Sequence, residues 1–130
     1  MSKKLGVIYD FKRTMNPDEF AIATSNGLHF CTIAHEDTAF RINFNEKEKY
    51  FENQVIISFV EVNPQVIIGS VWGSKCLQMI DRSQGQVIKK FHDISEVRNN
   101  NQVFRSIGFH DYYFPYLFVK DMDKISIVNL

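Results

Sequence analysis

The sequence predicts an all-β chain of antiparallel four-stranded sheets, begun three times over along 130 residues. Three observations lead there. Apolar runs are short and bounded by turn residues, and few segments carry the period of a helix. One strand-like run recurs at a spacing of 48: Val7-Ile8-Tyr9-Asp10-Phe11, Val55-Ile56-Ile57-Ser58-Phe59 and Val103-Phe104-Arg105-Ser106-Ile107. Each copy is then followed by the same succession of landmarks.

After this first strand comes a turn with proline: Asn16-Pro17-Asp18, Asn63-Pro64 and Phe114-Pro115. Proline fixes φ and brings no N–H to a ladder, so it belongs between strands. The second strand reads Phe20-Ala21-Ile22-Ala23, Val66-Ile67-Ile68-Gly69 and Tyr116-Leu117-Phe118-Val119. Tight connections follow at Ser25-Asn26-Gly27, Trp72-Gly73-Ser74 and Asp121-Met122-Asp123. Asn-Gly marks a hairpin because both residues tolerate φ > 0. Third strands are expected over 28–33, 75–80 and 125–128. A fourth strand appears twice, as Phe40-Arg41-Ile42-Asn43-Phe44 and, after the turn Asp81-Arg82-Ser83-Gln84-Gly85, as Gln86-Val87-Ile88-Lys89-Lys90-Phe91. The third unit reaches Leu130 without one. Residues 1–130 thus read as one segment with units 5–44, 55–91 and 103–130, eleven strands or about 2.75 four-stranded blades of an incomplete β-propeller. A generic barrel or sandwich also supplies short strands, but does not require four landmarks to recur in order.

The unit from Val55 to Phe91 resembles a WD-repeat β-propeller blade over its whole length, with Gly69-Ser70 and Asp81 close to where that family puts them. The Trp-Asp dipeptide of that family is replaced by Ile80-Asp81, Val128-Asn129 and Ile33-Ala34, and no Gly-His pair stands upstream. The chain is therefore similar to degenerate WD-like propellers, and also to citron-homology-type propellers at Ala23-Thr24-Ser25-Asn26-Gly27-Leu28. The resemblance implies that connections between second and third strands share one face with the connections between units. The remaining turns share the opposite face.

Composition narrows the function. Hydrophobic residues make up 45% and charged residues 23%, a globular balance. Fifteen Lys plus Arg offset fifteen Asp plus Glu, so nucleic acid is not an expected partner, because binding it needs surplus cations. Two cysteines, Cys31 and Cys76, make no disulfide framework and fit a cytoplasmic setting. The apolar stretch at the N-terminus stops at Asp10, too short for a signal peptide, and no run is long enough to span a membrane.

No Walker loop, Gly-x-Gly-x-x-Gly or Gly-x-Ser-x-Gly is present. His29 and Cys31 share a strand face as metal ligands do, yet nothing nearby completes a coordination shell, and plain packing explains them better. His35-Glu36-Asp37 and His92-Asp93 read as polar loops, and the mixed charges of Asn45-Glu46-Lys47-Glu48-Lys49-Tyr50 as a solvated connection between units. No catalytic residue, metal or cofactor is expected.

The resulting expectation is a non-enzymatic scaffold that binds proteins through loops and open blade edges. Trp72, the only Trp, falls on one loop face, where it acts as a binding anchor or else packs between blades. Tyr112, Tyr113 and Phe114 fall on the opposite face, and Asp121 in a further connection. Propellers close with about four to eight blades. The missing blades must come from a longer polypeptide, from other chains, or from copies of this chain in a homo-oligomer. A small-ligand or catalytic propeller, or a longin-like or roadblock-like α+β trafficking domain with a helix near 93–101, are the alternatives.

Overall fold

The structure is a computed structural model that describes residues 5–72, 77–91, 106–108, 116–121 and 124–129. The described residues form eleven strands and no helix. The first sheet holds β1 (Ile8–Arg13), β2 (Glu19–Thr24), β3 (Gly27–Glu36) and β4 (Ala39–Tyr50). The second holds β5 (Ile56–Asn63), β6 (Val66–Val71), β7 (Leu77–Asp81) and β8 (Gln86–Phe91). The third holds β9 (Ser106–Gly108), β10 (Tyr116–Asp121) and β11 (Lys124–Asn129). Each sheet is an antiparallel meander in sequence order. The recurrence at 48 is structural, since β1 opens at Ile8 and β5 at Ile56, each the edge strand that begins its sheet. Val103 lies outside the described residues.

The sheets stack face to face. β5 packs against β1 and β2, and β9 lies against β5 and β6. Between the first two sheets a core forms from Ala21, Ala23, Leu28, Phe30 and Tyr50 on one side and Ile56, Phe59, Ile67, Val71 and Ile80 on the other. Pleat alternation sends Ala21 and Ala23 here and Ile22 to the far face. The second sheet is covered on both sides: Ile67 and Ile80 face the first sheet, and Ile68, Ser70 and Leu77, on the opposite face, are also fully buried. The Phe51 ring packs over Gly69, and an added Cβ there would stand 3.3 Å from it, a tight contact that the ring would have to relax.

Turn chemistry follows the sequence with two corrections. Asn63 and Pro64 do turn the chain, with Asn63 Oδ1 accepting from Gln65 N at 2.8 Å. In the β2–β3 hairpin, however, the turn pair is Ser25-Asn26 and the positive φ falls on Gly27 alone, at 97°. The carbonyls of Tyr50 and Phe51 approach Gly27 so closely that only glycine fits there. The second correction concerns 45–50, which is no solvated connection. β4 runs on to Tyr50, with extra residues looped out between the Lys49–His29 and Phe44–Cys31 pairs. Tyr50 pairs with Leu28 and is buried, so mixed charges masked a strand.

β3 and β4 also outlast their sheet. β2 leaves β3 at the Glu19–Thr32 pair, after which four more β3–β4 pairs, from Ile33–Ile42 to Glu36–Ala39, form a two-stranded arm. In the second sheet the equivalent hairpin ends flush, because Asp81 pairs with both Val66 and Gln86.

Candidate functional site

Three places concentrate chemistry among the described residues. The first is Arg82, in the β7–β8 turn. Its guanidinium donates from Nη1 to Glu19 Oε1 at 2.7 Å and from Nη2 to Glu19 Oε2 at 2.8 Å. It also donates from Nε to Glu48 Oε2 and from Nη2 to Glu48 Oε1, both at 2.8 Å. The planar fork thus grips two carboxylates at once, the use for which arginine surpasses lysine. The guanidinium carbon lies 4.0 Å from the centre of the Phe30 ring, a cation–π contact inside the junction. Both carboxylates belong to the first sheet, so one side chain of the second sheet clamps two strands of its neighbour.

The clamp is held in place by its surroundings. Thr14 Oγ1 donates to Glu19 Oε1 at 2.7 Å, Asn16 Nδ2 donates to the same oxygen at 3.1 Å, and Tyr50 OH donates to Glu48 Oε2 at 2.8 Å. Burial opposes the charge on Glu19, but the bonds from Arg82, Thr14 and Asn16 outweigh it and hold the carboxyl down at about 2. Burial likewise works against the guanidinium, and Glu48 and Glu19 outweigh it, raising its pKa. Tyr50 is pushed up by burial and by Glu48. Beside the clamp opens a cleft of about 320 Å³ lined by Lys47, Glu48, Lys49, Tyr50, Arg82, Ser83, Gln84 and Gly85. Every carboxylate of the clamp is committed to Arg82, so the cluster is structural and not a poised acid–base pair. Sequence reading saw the turn 81–85 but not Arg82. Its partners stand 63 and 34 residues away, and no local pattern announces them.

The second place is the loop face that carries Trp72. Trp72 follows β6, is 51% exposed, and its backbone N donates to Val55 O at 2.8 Å. On the same face Gly27 N donates to Gln54 O at 2.8 Å and Asn53 N to Asn26 Oδ1 at 2.9 Å. The β2–β3 turn and Trp72, just after β6, therefore gather with the β4–β5 connection, in line with the grouping that the resemblance implied. Phe51, at φ 57°, sits in the left-handed region, unusual for a bulky residue. Tyr112, Tyr113 and Phe114 lie outside the described residues. Asp121 ends β10, with its backbone paired to Lys124.

The third place is the face of the first sheet turned away from the second. Phe20 and Phe44 pack on Leu5, Ile22 and Cys31 there, and Phe11 stacks on Phe20 at 5.0 Å and 7°. That layer is incomplete: Phe11 is 52% exposed and Ile42 57%. His29 and Cys31 are both buried, and His29 Nε2 stands 3.0 Å from the Asn26 carbonyl, to which it must donate because that oxygen only accepts. Burial, then Glu19, pushes the Cys31 thiol up. No group of His, Cys, Asp and Glu with metal-holding geometry occurs among the described residues. No helix among them is long and apolar enough to cross a membrane.

Stacked antiparallel meanders of four, four and three strands, with β5 packed on the first sheet and β9 on the second, define a run of β-propeller blades. Among solved structures the chain is similar to the β-propeller domain of Cps50 (Swd1) from Myceliophteria thermophila, with a TM-score of 0.75 at 11% identity. The match covers 98% of this chain and 39% of that one. No family model and no curated protein matches the chain in sequence. The fold is that of part of a β-propeller, as the 48-residue recurrence led us to expect.

Proposed function

We propose that this chain is a non-catalytic scaffold that binds other proteins and is completed by further propeller blades. One observation carries the reading. The second sheet is buried on both faces, whereas the outer face of the first presents Phe11 and Ile42 to water at more than half exposure. An apolar sheet face of this kind is ordinarily covered by another sheet. The 39% span of the Swd1 domain supports the same conclusion, since the remaining length of such a propeller holds further blades. These blades belong to a longer polypeptide or to a second chain. Trp72, half exposed on the loop face, is the proposed anchor for a partner, joined by Tyr112, Tyr113, Phe114 and Asp121. A reducing cytoplasmic setting goes with this reading and keeps Cys31 a thiol.

The test is quantitative affinity capture from an extract of the source organism, using the chain and two variants. The reading predicts a protein retained by the wild type, weakened at least tenfold by Phe11→Ser or by Trp72→Ala. Retention unchanged in both variants would count against it.

A further inference from the structure

Asn26-Gly27 is the one Asn-Gly pair in the sequence. Such a pair carries its own chemistry. The backbone nitrogen of the glycine can attack the asparagine Cγ, because glycine has no Cβ to bar the approach. A C–N bond forms, the carboxamide nitrogen leaves as ammonia, and a succinimide ring closes. Water then opens the ring at either carbonyl, giving aspartate or isoaspartate. Asn26 is exposed, so water reaches it, while Gly27 is buried.

In the folded chain both reacting groups are tied to one neighbouring segment, the β4–β5 connection over 51–54. The attacking nitrogen, Gly27 N, donates to Gln54 O at 2.8 Å. The carboxamide oxygen, Asn26 Oδ1, accepts from Asn53 N at 2.9 Å. The rest of the turn is occupied too: Asn26 N donates to Thr24 Oγ1 at 2.9 Å, Thr24 Oγ1 donates to Gly27 O at 2.9 Å, and His29 Nε2 stands 3.0 Å from Asn26 O. Closing the ring means breaking the bond to Gln54 and turning the carboxamide away from Asn53. The segment that makes these two ties is itself strained. Phe51 and Asn53 sit at φ 57° and 63°, and a bulky residue stays there only when its surroundings hold it. What holds Phe51 is its ring, which packs on the core between the first two sheets and over Gly69.

We infer that Asn26 is a deamidation site gated by the β4–β5 connection: it is held back while 51–54 lies on the β2–β3 turn, and converts to aspartate or isoaspartate when that connection lifts. Lifting is a local opening and does not require the sheets to separate. The change is one-way, because ammonia is lost. Isoaspartate adds a backbone carbon to a two-residue turn, so Gly27 N no longer meets Gln54 O and the connection stays unfastened. Either product also sets a carboxylate on the face that carries Trp72. The inference stands apart from the partner-binding reading, because it uses only bonds within the chain.

The test is the rate of conversion in mildly alkaline buffer, read by tandem mass spectrometry of the tryptic peptide Thr14–Arg41, whose fragment ions separate Asn26 from Asn16. The reference is a synthetic peptide of residues 23–28, Ala-Thr-Ser-Asn-Gly-Leu, which has no neighbour to tie it. Folded wild type should convert at least tenfold more slowly than the peptide. Phe51→Ala, which removes the ring but keeps the strained backbone, should convert at least fivefold faster than wild type. Ile80→Ala, which weakens the same core from β7, is the control. If conversion needed global unfolding, all three rates would track the unfolded fraction from urea melts; Phe51→Ala should lie above that line and Ile80→Ala on it. Circular dichroism checks that each variant is folded, and Phe51→Leu replaces Phe51→Ala if the latter is not. Folded wild type as fast as the peptide overturns the protection. Phe51→Ala no faster than wild type, or on the line set by global unfolding, overturns the gate.

Discussion

Arg82→Met removes the clamp while keeping the length of the side chain. Four charge-assisted hydrogen bonds disappear, and Glu19 and Glu48, with side chains 12% and 20% exposed, are left facing each other without a cation. Breaking a buried ion pair from one side costs about 3–5 kcal/mol. Because both carboxylates keep some access to water, the lower end applies, about 3 kcal/mol. Urea denaturation followed by circular dichroism gives the number. The pH dependence gives the cause. Glu19 titrates at about 2 in the folded chain against an ordinary 4.5, so its folded pKa is depressed. The stabilisation it brings is full above pH 4.5 and is lost as pH falls toward 2. In Arg82→Met this acid limb should shrink, since only the bonds from Thr14 and Asn16 then offset the burial of Glu19. Adding Glu19→Gln and Glu48→Gln should recover most of the loss, while Arg82→Lys should recover only part, having no fork. A shift under about 0.5 kcal/mol in Arg82→Met, or an unchanged acid limb, refutes the clamp as a tie between the first two sheets.

Further outcomes follow from the same packing. Gly27→Ala should cost about 2 kcal/mol in urea melts, because φ is 97° and the new Cβ would stand 2.5 Å from the Tyr50 carbonyl oxygen. Gly85→Asn should change stability by less than about 1 kcal/mol, since φ 68° suits Asn and nothing lies within 4 Å. Ile80→Ala empties a fully buried position between the first two sheets and should cost about 3 kcal/mol. In a Cys76→Ser background, Cys31 should react with an aromatic disulfide reagent only slowly at pH 8 and fast in urea, because the thiol is buried and its pKa raised.

Most of the strand order was legible because proline turns and apolar runs are local signals. Pro64 and the 48-residue return of Ile8 at Ile56 located the sheets without any tertiary information. Gly69 was read as a family landmark; in the structure the Phe51 ring packs closely over it. What escaped was long-range or looked polar. Arg82 gains its role from Glu19 and Glu48, far away in sequence, and the charges around Glu48 hid a strand that ends on buried Tyr50. The arm escaped for another reason. Phe40-Arg41-Ile42-Asn43-Phe44 alternates as any half-buried strand does, and only the register with β2 reveals that no third strand lies beside it. Trp72 was left between an anchor and a packing role by sequence, and in the structure it is half exposed.

The central claim is that the second sheet is sandwiched while the first keeps a face open to water. Amide hydrogen exchange resolved strand by strand tests it most directly. The account predicts the slowest exchange in β5 and β6, and fast exchange in β1 and in the arm from Ile33 to Asn43. Protection of β1 equal to that of β6, or an arm as slow as β6, would contradict it.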